Sequence, residues 1–384
     1  MEKIRVLYIV SGTHFYGDNR SLLEILIDLK KYIFIHVLIG GDIKNDCRKS
    51  LFLEKLDEYN IEYTLTKSVY SVPRLKVGQS ITLRYLKWWM VFLKNSLLSA
   101  PKFCKVIRIF RPNIIHSNNG LVYGGWLFSF LCRKTHIWHL REYIDKDHQM
   151  QHWPSKNFFI NQISKGCAIA NSKGVFDYFR LNSSNSAVIY NPVGVQYSYE
   201  PRKKDYILFV GRLIPTKGVK ELLSIFKRVR QEYPHLRLLI AGGIEKNNPY
   251  ISELLTIADE PSYENSVSFL GYCSDVNELM KQAVCLVVPS YYEAFGRITV
   301  EALFNGCLVV GRNSGGTREI IELCKSGFLF DTDEECIEKI KKIIQMNADE
   351  YEMVVSESQR LAENYFKREQ VAIKVLDFYR AIVN

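Results

Sequence analysis

Two carboxylates and two cations stand out by type and spacing. Glu293 and Glu301 lie eight positions apart in PSYYEAFGRITVEALFNGC, with Gly296 between them. Glu293 precedes a Phe295-Gly296 pair that lets backbone approach a ligand closely. Glu301 falls about one turn into an apolar, helix-like run. A carboxylate so placed can accept hydrogen bonds from the vicinal hydroxyls of a ribose. The N–H groups of Ile298 and Thr299, at the start of that run, suit phosphate oxygens. Upstream, RLIPTKGVKELL puts Arg212 and Lys217 between a strand and a helix, and two cations beside a helix N-terminus suit a diphosphate. Either motif alone also fits a solvated surface; together they point to a nucleotide diphosphate. The chain lacks G-x-x-x-x-G-K-[ST], and its first strand ends VSGTHFYG without G-x-G-x-x-G. A Walker-type or dinucleotide site therefore has little support.

The elements that must position these groups alternate. IRVLYIV, FIHVLIG, IEYTL, NIIH, HIWHL, CAIAN and AVIYN are short apolar runs separated by helical periodicity. DYILFVG, LRLLIAGG, VSFLG, VCLVVPS and LVVGR repeat the scheme in the second half. Strands alternating with helices predict parallel, doubly wound sheets. Two Rossmann-like domains are expected, 1–197 and 198–366, parted by the aperiodic NPVGVQYSYEPRKKD. The last helix, from about residue 367, is expected to return to the first domain, as is common in two-domain folds of this type. At 384 residues the chain is long enough for two cores. No apolar run reaches about 18 residues, the length needed to span a bilayer. MEKIRVLYIV reads as a buried strand, not a secretion signal. Nine cysteines are scattered singly, mostly in apolar strings, which fits reduced cytoplasmic thiols and not a disulfide or zinc framework.

The net charge of +10 is localised. Between Glu62 and Glu142 there is no acidic residue, against thirteen Lys and Arg. Within that interval, residues 80–110 interleave Arg84, Lys87 and Lys94 with Trp88, Trp89 and Phe92. This mixture predicts a helix lying in a membrane interface, with bases on anionic lipid; a core helix with solvated lysines is the plainer alternative. Arg84, Lys87, Trp88, Trp89 and Lys94 are thus candidates for membrane or acceptor contact.

FVGRLIPTKGVKELL, VSFLGYCSD, PSYYEAFGRITVEALFNGCLVV and NSGGTREII resemble, in order and spacing, the carboxy-terminal half of GT-B glycosyltransferases, specifically glycosyltransferase family 4. RPNIIHSNN, IWHLREY, AIANSKGV and VIYNPVGV resemble the amino-terminal half more loosely. The resemblance implies an α/β GT-B fold, two Rossmann-like domains facing across a cleft, and a retaining transfer from a nucleotide-sugar to an acceptor hydroxyl. Uracil is the base such enzymes commonly take, and guanine is the alternative. Carried over position by position, Arg212 and Lys217 would hold the diphosphate and Glu301 the ribose. Glu293 would lie near the sugar with the amides of Phe295 and Gly296, and Gly271 and Tyr272 beside the base. Gly12 and Gly17 would approach the phosphates, although the usual Gly-Gly there reads Tyr16-Gly17. His139 would line the sugar site, with Arg141 and Glu142 beside it; the last two also fit an ordinary surface pair. No metal or other cofactor is expected, because the D-x-D of Asp145 and Asp147 is short and sits in the wrong kind of fold. His116 reads as a packing residue.

The basic first domain adds an expectation of a lipid-linked glycan acceptor, with peripheral attachment to the inner membrane face and a place in surface or capsular polysaccharide synthesis. Two rivals remain: a nucleotide-sugar epimerase or sugar phosphorylase of the same fold, and a basic nucleic-acid-binding protein. The second leaves Glu293 and Glu301 unexplained, so no nucleic-acid partner is expected.

Overall fold

The computed structural model describes residues 3–15, 17–41, 47–71, 75–80, 82–152, 155–194, 198–201 and 203–383; the side chains of 47–50 and of Arg84 lie outside that description. The chain divides into two compact units, Met1–Pro192 with Lys367–Asn384, and Val193–Phe366.

The first unit is built on seven strands: β1 (Arg5–Val10), β2 (Phe34–Gly40), β3 (Tyr63–Thr66), β4 (Ile114–Ser117), β5 (Thr135–Leu140), β6 (Cys167–Ala170) and β7 (Ser186–Val188). They pair in the order β3-β2-β1-β4-β5-β6-β7, every pair parallel. The second unit has six: β8 (Tyr206–Val210), β9 (Arg237–Ala241), β10 (Val267–Gly271), β11 (Cys285–Val288), β12 (Val309–Arg312) and β13 (Gly327–Phe330). Their order is β10-β9-β8-β11-β12-β13, again all parallel. Helices cover both faces of a parallel sheet, so central strands such as CLVV and RVLYIV are apolar nearly throughout. The strand order reverses beside β1 in one sheet and beside β8 in the other. The loops leaving the paired strands at such a point diverge, which opens a crevice at the carboxyl ends.

In the second unit Leu222, Phe226 and Val229 of the Val219–Glu232 helix pack with Ile340 of the Asp333–Ile344 helix against Ile207 and Val287. The opposite face seats Met280, Ala302 and Ile321. In the first unit the Arg368–Val383 helix packs on the Gly17–Leu29 helix, with Val371, Val375 and Tyr379 in the core. Its entry is fixed by Arg368, whose Nε donates to the buried Asp28 carboxylate at 2.6 Å.

The basic interval contains one long helix, Leu83–Phe110. Thr82 caps it, its side chain accepting from the Tyr85 N–H, and Arg111 closes it in the left-handed region. Its second half is core: Phe103, Val106, Ile107 and Phe110 are buried with Ile9 and Ile115. Its first half is not. Leu83, Leu86, Trp88, Met90, Val91, Leu93, Leu97 and Leu98 are exposed, with Lys87 and Lys94 among them. The helix is therefore core at one end and apolar surface at the other. No helix among the described residues is long and apolar enough to cross a membrane.

Candidate functional site

In the second unit the groups singled out by sequence follow β8 and β11, the strands at the reversal. Gly211 leads through Arg212 into a 3-10 turn, Pro215–Lys217, and Gly218 starts the Val219–Glu232 helix. Gly218 has φ +70°, and a Cβ there would lie 2.5 Å from the Pro289 carbonyl oxygen. Glycine is thus needed for the two loops to meet. The Tyr291 N–H donates to the Thr216 carbonyl at 3.0 Å, which locks them together. Lys217 Nζ then pairs with Glu293 Oε1, both side chains mostly buried. Arg212 is exposed, and its guanidinium has no partner among the described residues.

Glu301 is buried, as the start of the Arg297–Phe304 helix behind Gly296 requires. Its countercharge is Arg297, one turn earlier, with Nε 2.9 Å from Oε1. The sequence reading assigned Arg297 nothing, although an i,i+4 opposite charge to a buried carboxylate was legible. One expectation needs correction. The Thr299 N–H is not free for phosphate, because it donates to the Gly296 carbonyl at 2.9 Å; the first turn tightens and satisfies that donor internally. Ile298 keeps its first-turn position. The Phe295 ring packs against Phe366, centroids 5.9 Å apart.

A third loop, after β12, was missed as a contributor. Gly316 N–H donates to the Glu293 carbonyl at 2.8 Å, and Ser314 Oγ to that of Tyr291 at 2.7 Å. Cβ atoms on Gly315 and Gly316 would meet the Glu293 and Phe295 carbonyl oxygens at 2.2 and 2.0 Å. The Gly-Gly of NSGGT is what lets this loop hold Glu293 from behind. Thr299 and Thr317 carry buried hydroxyls without a hydrogen-bond partner among the described residues, and both flank Gly296. Such unmet hydroxyls beside two helix starts suit an anion. Gly271 ends β10 with φ +71°, its carbonyl held by the Gly242 N–H at 2.9 Å, and Tyr272 beside it is exposed.

In the first unit Gly12 follows β1 and Gly17 opens the next helix. Asn19 Nδ2 donates to the carbonyls of Gly12 and His14 at 3.0 and 2.6 Å, shaping this loop. Tyr16 lies outside the described residues. His139, in β5, is buried and bonded through Nδ1 to His116 Nε2 at 3.1 Å. Burial first, and then the Arg141 charge, hold both imidazoles well below the usual histidine range. Arg141 is not part of a surface pair. It is buried, and its Nε donates to the Asn118 carbonyl and Oδ1, both at 3.1 Å. Glu142 pairs instead with His148 at 3.4 Å. His116 is buried, as a packing residue would be, and also bonds Tyr379 Oη at 2.7 Å. Of the D-x-D pair, Asp147 accepts from the Tyr143 and Ile144 N–H groups, and Asp145 from Tyr178 Oη.

A cavity of about 370 Å3 opens at the carboxyl ends of β1 and β2, lined by Ser11, Gly41, Lys67, Ser71, Trp88 and Phe92 among others. Trp88 and Phe92 bring the long helix to it. Trp89, half-buried, stacks edge-on against Phe92 at 5.2 Å and faces less solvent than Trp88.

Comparison with known proteins agrees with this architecture. Residues 196–367 match the family described as glycosyl transferases group 1. Among curated relatives, the phosphatidylinositol N-acetylglucosaminyltransferase gpi3 subunit of Schizosaccharomyces pombe is 24% identical over 69% of this chain and 61% of its own. Trehalose synthase of Thermococcus litoralis is 23% identical over 72% of this chain and 64% of its own. The chain thus spans under two thirds of the length of these relatives. Among solved structures, Anabaena HepE in complex with UDP superposes with a TM-score of 0.78 at 19% identity, covering 98% of this chain and all of that one. The chain has the two-domain α/β fold of GT-B glycosyltransferases. Arg212, Lys217, Glu293 and Glu301 all lie in the matched segment 196–367; Gly12, Gly17, His139 and the long basic helix lie outside it.

Proposed function

We propose that the protein is a retaining glycosyltransferase that moves a sugar from a nucleoside diphosphate, uridine diphosphate in the first instance, to an acceptor hydroxyl. The observation that carries this reading is the convergence of Lys217, Glu293 and Gly296, with Glu301 buried one turn behind, at the strand reversal of the second unit. Fixed positive charge from Lys217 and Arg212 stands where negative charge grows as the diphosphate departs, the usual main electrostatic contribution. Those two cations meet the charge of the diphosphate, so the reading includes no metal. Glu301, oriented by Arg297, takes the ribose hydroxyls, and Tyr272 covers the base. Glu293 and the backbone at Phe295–Gly296 orient the sugar, and His139 meets a sugar oxygen. Retention at the anomeric carbon is taken over from the family resemblance. HepE, solved with UDP, supports uridine diphosphate as the first donor to try.

A thermal-shift panel of UDP-, GDP- and ADP-sugars tests the donor. Ligand at 100 times its dissociation constant adds about 2.7 kcal/mol to stability, so the UDP-sugar is expected to give the largest shift. Label from it should then appear in an acceptor. Label recovered only as an isomerised or phosphorolysed sugar would support the epimerase or phosphorylase reading instead.

The acceptor in this proposal is lipid-linked, and the enzyme works peripherally on the inner membrane face in surface polysaccharide synthesis. Support comes from the exposed apolar half of the Leu83–Phe110 helix, where Trp88 and Leu97 stand among Lys87 and Lys94. Each base near an anionic surface contributes on the order of 1 kcal/mol. Co-flotation with anionic vesicles is expected, weakened by salt and by Lys87→Glu with Lys94→Glu. Recovery of all protein in the unfloated fraction would remove the membrane part of the proposal.

A further inference from the structure

Four buried side chains in the first unit form one hydrogen-bonded line. Tyr8 Oη lies 2.7 Å from Tyr379 Oη, Tyr379 Oη 2.7 Å from His116 Nδ1, and His116 Nε2 3.1 Å from His139 Nδ1. The line joins β1 to the Arg368–Val383 helix, then crosses to β4 and β5. At its far end Arg141 Nη2 also lies on His139 Nδ1, at 3.3 Å. The guanidinium is held there by Asn118 and by Asn191 Oδ1.

A guanidinium only donates, so His139 Nδ1 carries no proton. Burial keeps the ring neutral, and its one proton is then on Nε2. With Nδ1 an acceptor, His116 must donate from Nε2, which makes its own Nδ1 an acceptor. Tyr379 then donates to His116 and accepts from Tyr8. Reversing any link would aim an N–H at the Arg141 donors or set two lone pairs against each other. His139 Nε2 is buried and has no hydrogen-bond partner among the described residues, so its proton has no acceptor among them.

We infer that Arg141 imposes a single proton order on Tyr8, Tyr379, His116 and His139, so that His139 meets its ligand as an N–H donor and never as a base. Tyr379 and His116 are positioning residues for that donor. The ligand atom it takes is a hydrogen-bond-accepting oxygen, a hydroxyl of the transferred sugar if the proposed function holds.

Two-bond 1H–15N spectra of the full chain labelled at histidine report which ring nitrogen is protonated, without any ligand or activity. Near neutral pH, His116 and His139, assigned by His116→Gln and His139→Gln, are expected to be protonated on Nε2 alone. A proton on Nδ1 of His139 overturns the inference and leaves the proposed function standing. Tyr379→Phe removes the donor to His116 without changing shape; its spectrum should shift the His116 Nδ1 resonance while His116 stays protonated on Nε2, held there by His139 and Arg141, and turnover should fall about tenfold, the worth of one hydrogen bond. A Tyr379→Phe spectrum identical to the parent's overturns the positioning role. His139→Gln keeps an N–H near the ε position and should turn over donor about tenfold faster than His139→Leu. Equal rates for these two variants and the parent, with the expected tautomers, would instead remove the sugar from His139.

Discussion

Lys217→Ala is expected to slow transfer from the nucleotide-sugar by about a hundredfold to a thousandfold, the usual cost of removing one preorganised charge from a site where charge develops. The ammonium stands at the end of a 3-10 turn, locked to the loop after β11 and paired with Glu293. In the proposed reaction it faces the departing phosphate from this fixed turn. The loss should fall on kcat and kcat/KM together, because the interaction strengthens only as the bond breaks. Glu301→Gln should behave differently. Ribose binds equally in the ground and transition states, so the donor KM should rise by about tenfold or more with kcat nearly kept. Glu322, paired with Arg318 on the surface, provides the control; Glu322→Ala should leave both constants unchanged. Lys217→Ala also leaves Glu293 without its partner, so urea midpoints must accompany the kinetics. A folded Lys217→Ala protein with parental turnover would end the donor-site reading.

Mild acid is expected to unfold the first unit ahead of the second. His116 and His139 are buried in it and His136 is half-buried; desolvation lowers all three, His136 to about 3. The unfolded chain takes up protons near pH 6.5, the ordinary histidine value, while the folded unit refuses them until the pH is far lower. The unfolded state therefore binds more protons throughout that window, and stability falls as pH falls. Each histidine contributes about 1.4 kcal/mol per pH unit below about 6.5. The three together approach about 4 kcal/mol per unit once fully engaged. All five tryptophans precede residue 193, so their fluorescence reports this unit alone, and Trp138 is buried 4.8 Å from the His136 ring. Urea midpoints read by that fluorescence should drop steeply from pH 7 to 5. A flat profile would mean that these imidazoles are hydrated or charged in the folded protein.

What could be read without coordinates followed from period and local chemistry. Parallel strands announce themselves as apolar runs between helices, and the loops after β8 and β11 carry Arg212, Lys217, Glu293 and Glu301 in local order. Features that need a distant partner were not legible. His116 and Tyr379 are 263 positions apart, and nothing near either one signals their bond. Arg141 looked like a surface charge because its acceptors, Asn118 and Asn191, come from other loops. Thr299 misled for a different reason: a first-turn N–H is normally unmet, but here it bends back to Gly296. Of Arg84, only its place in the helix is described.

The order of synthesis matters for a chain whose final helix carries Tyr379 into the middle of its first sheet. Domains are generally completed on the ribosome from the amino terminus onward. Here the opening half waits, its apolar groove uncovered, while the whole second unit is translated and emerges. Only emergence of the Arg368–Val383 helix lets it close. A nascent chain stalled before that helix should therefore be a client for chaperones, and nicking by proteases should fall once the helix has emerged and packed.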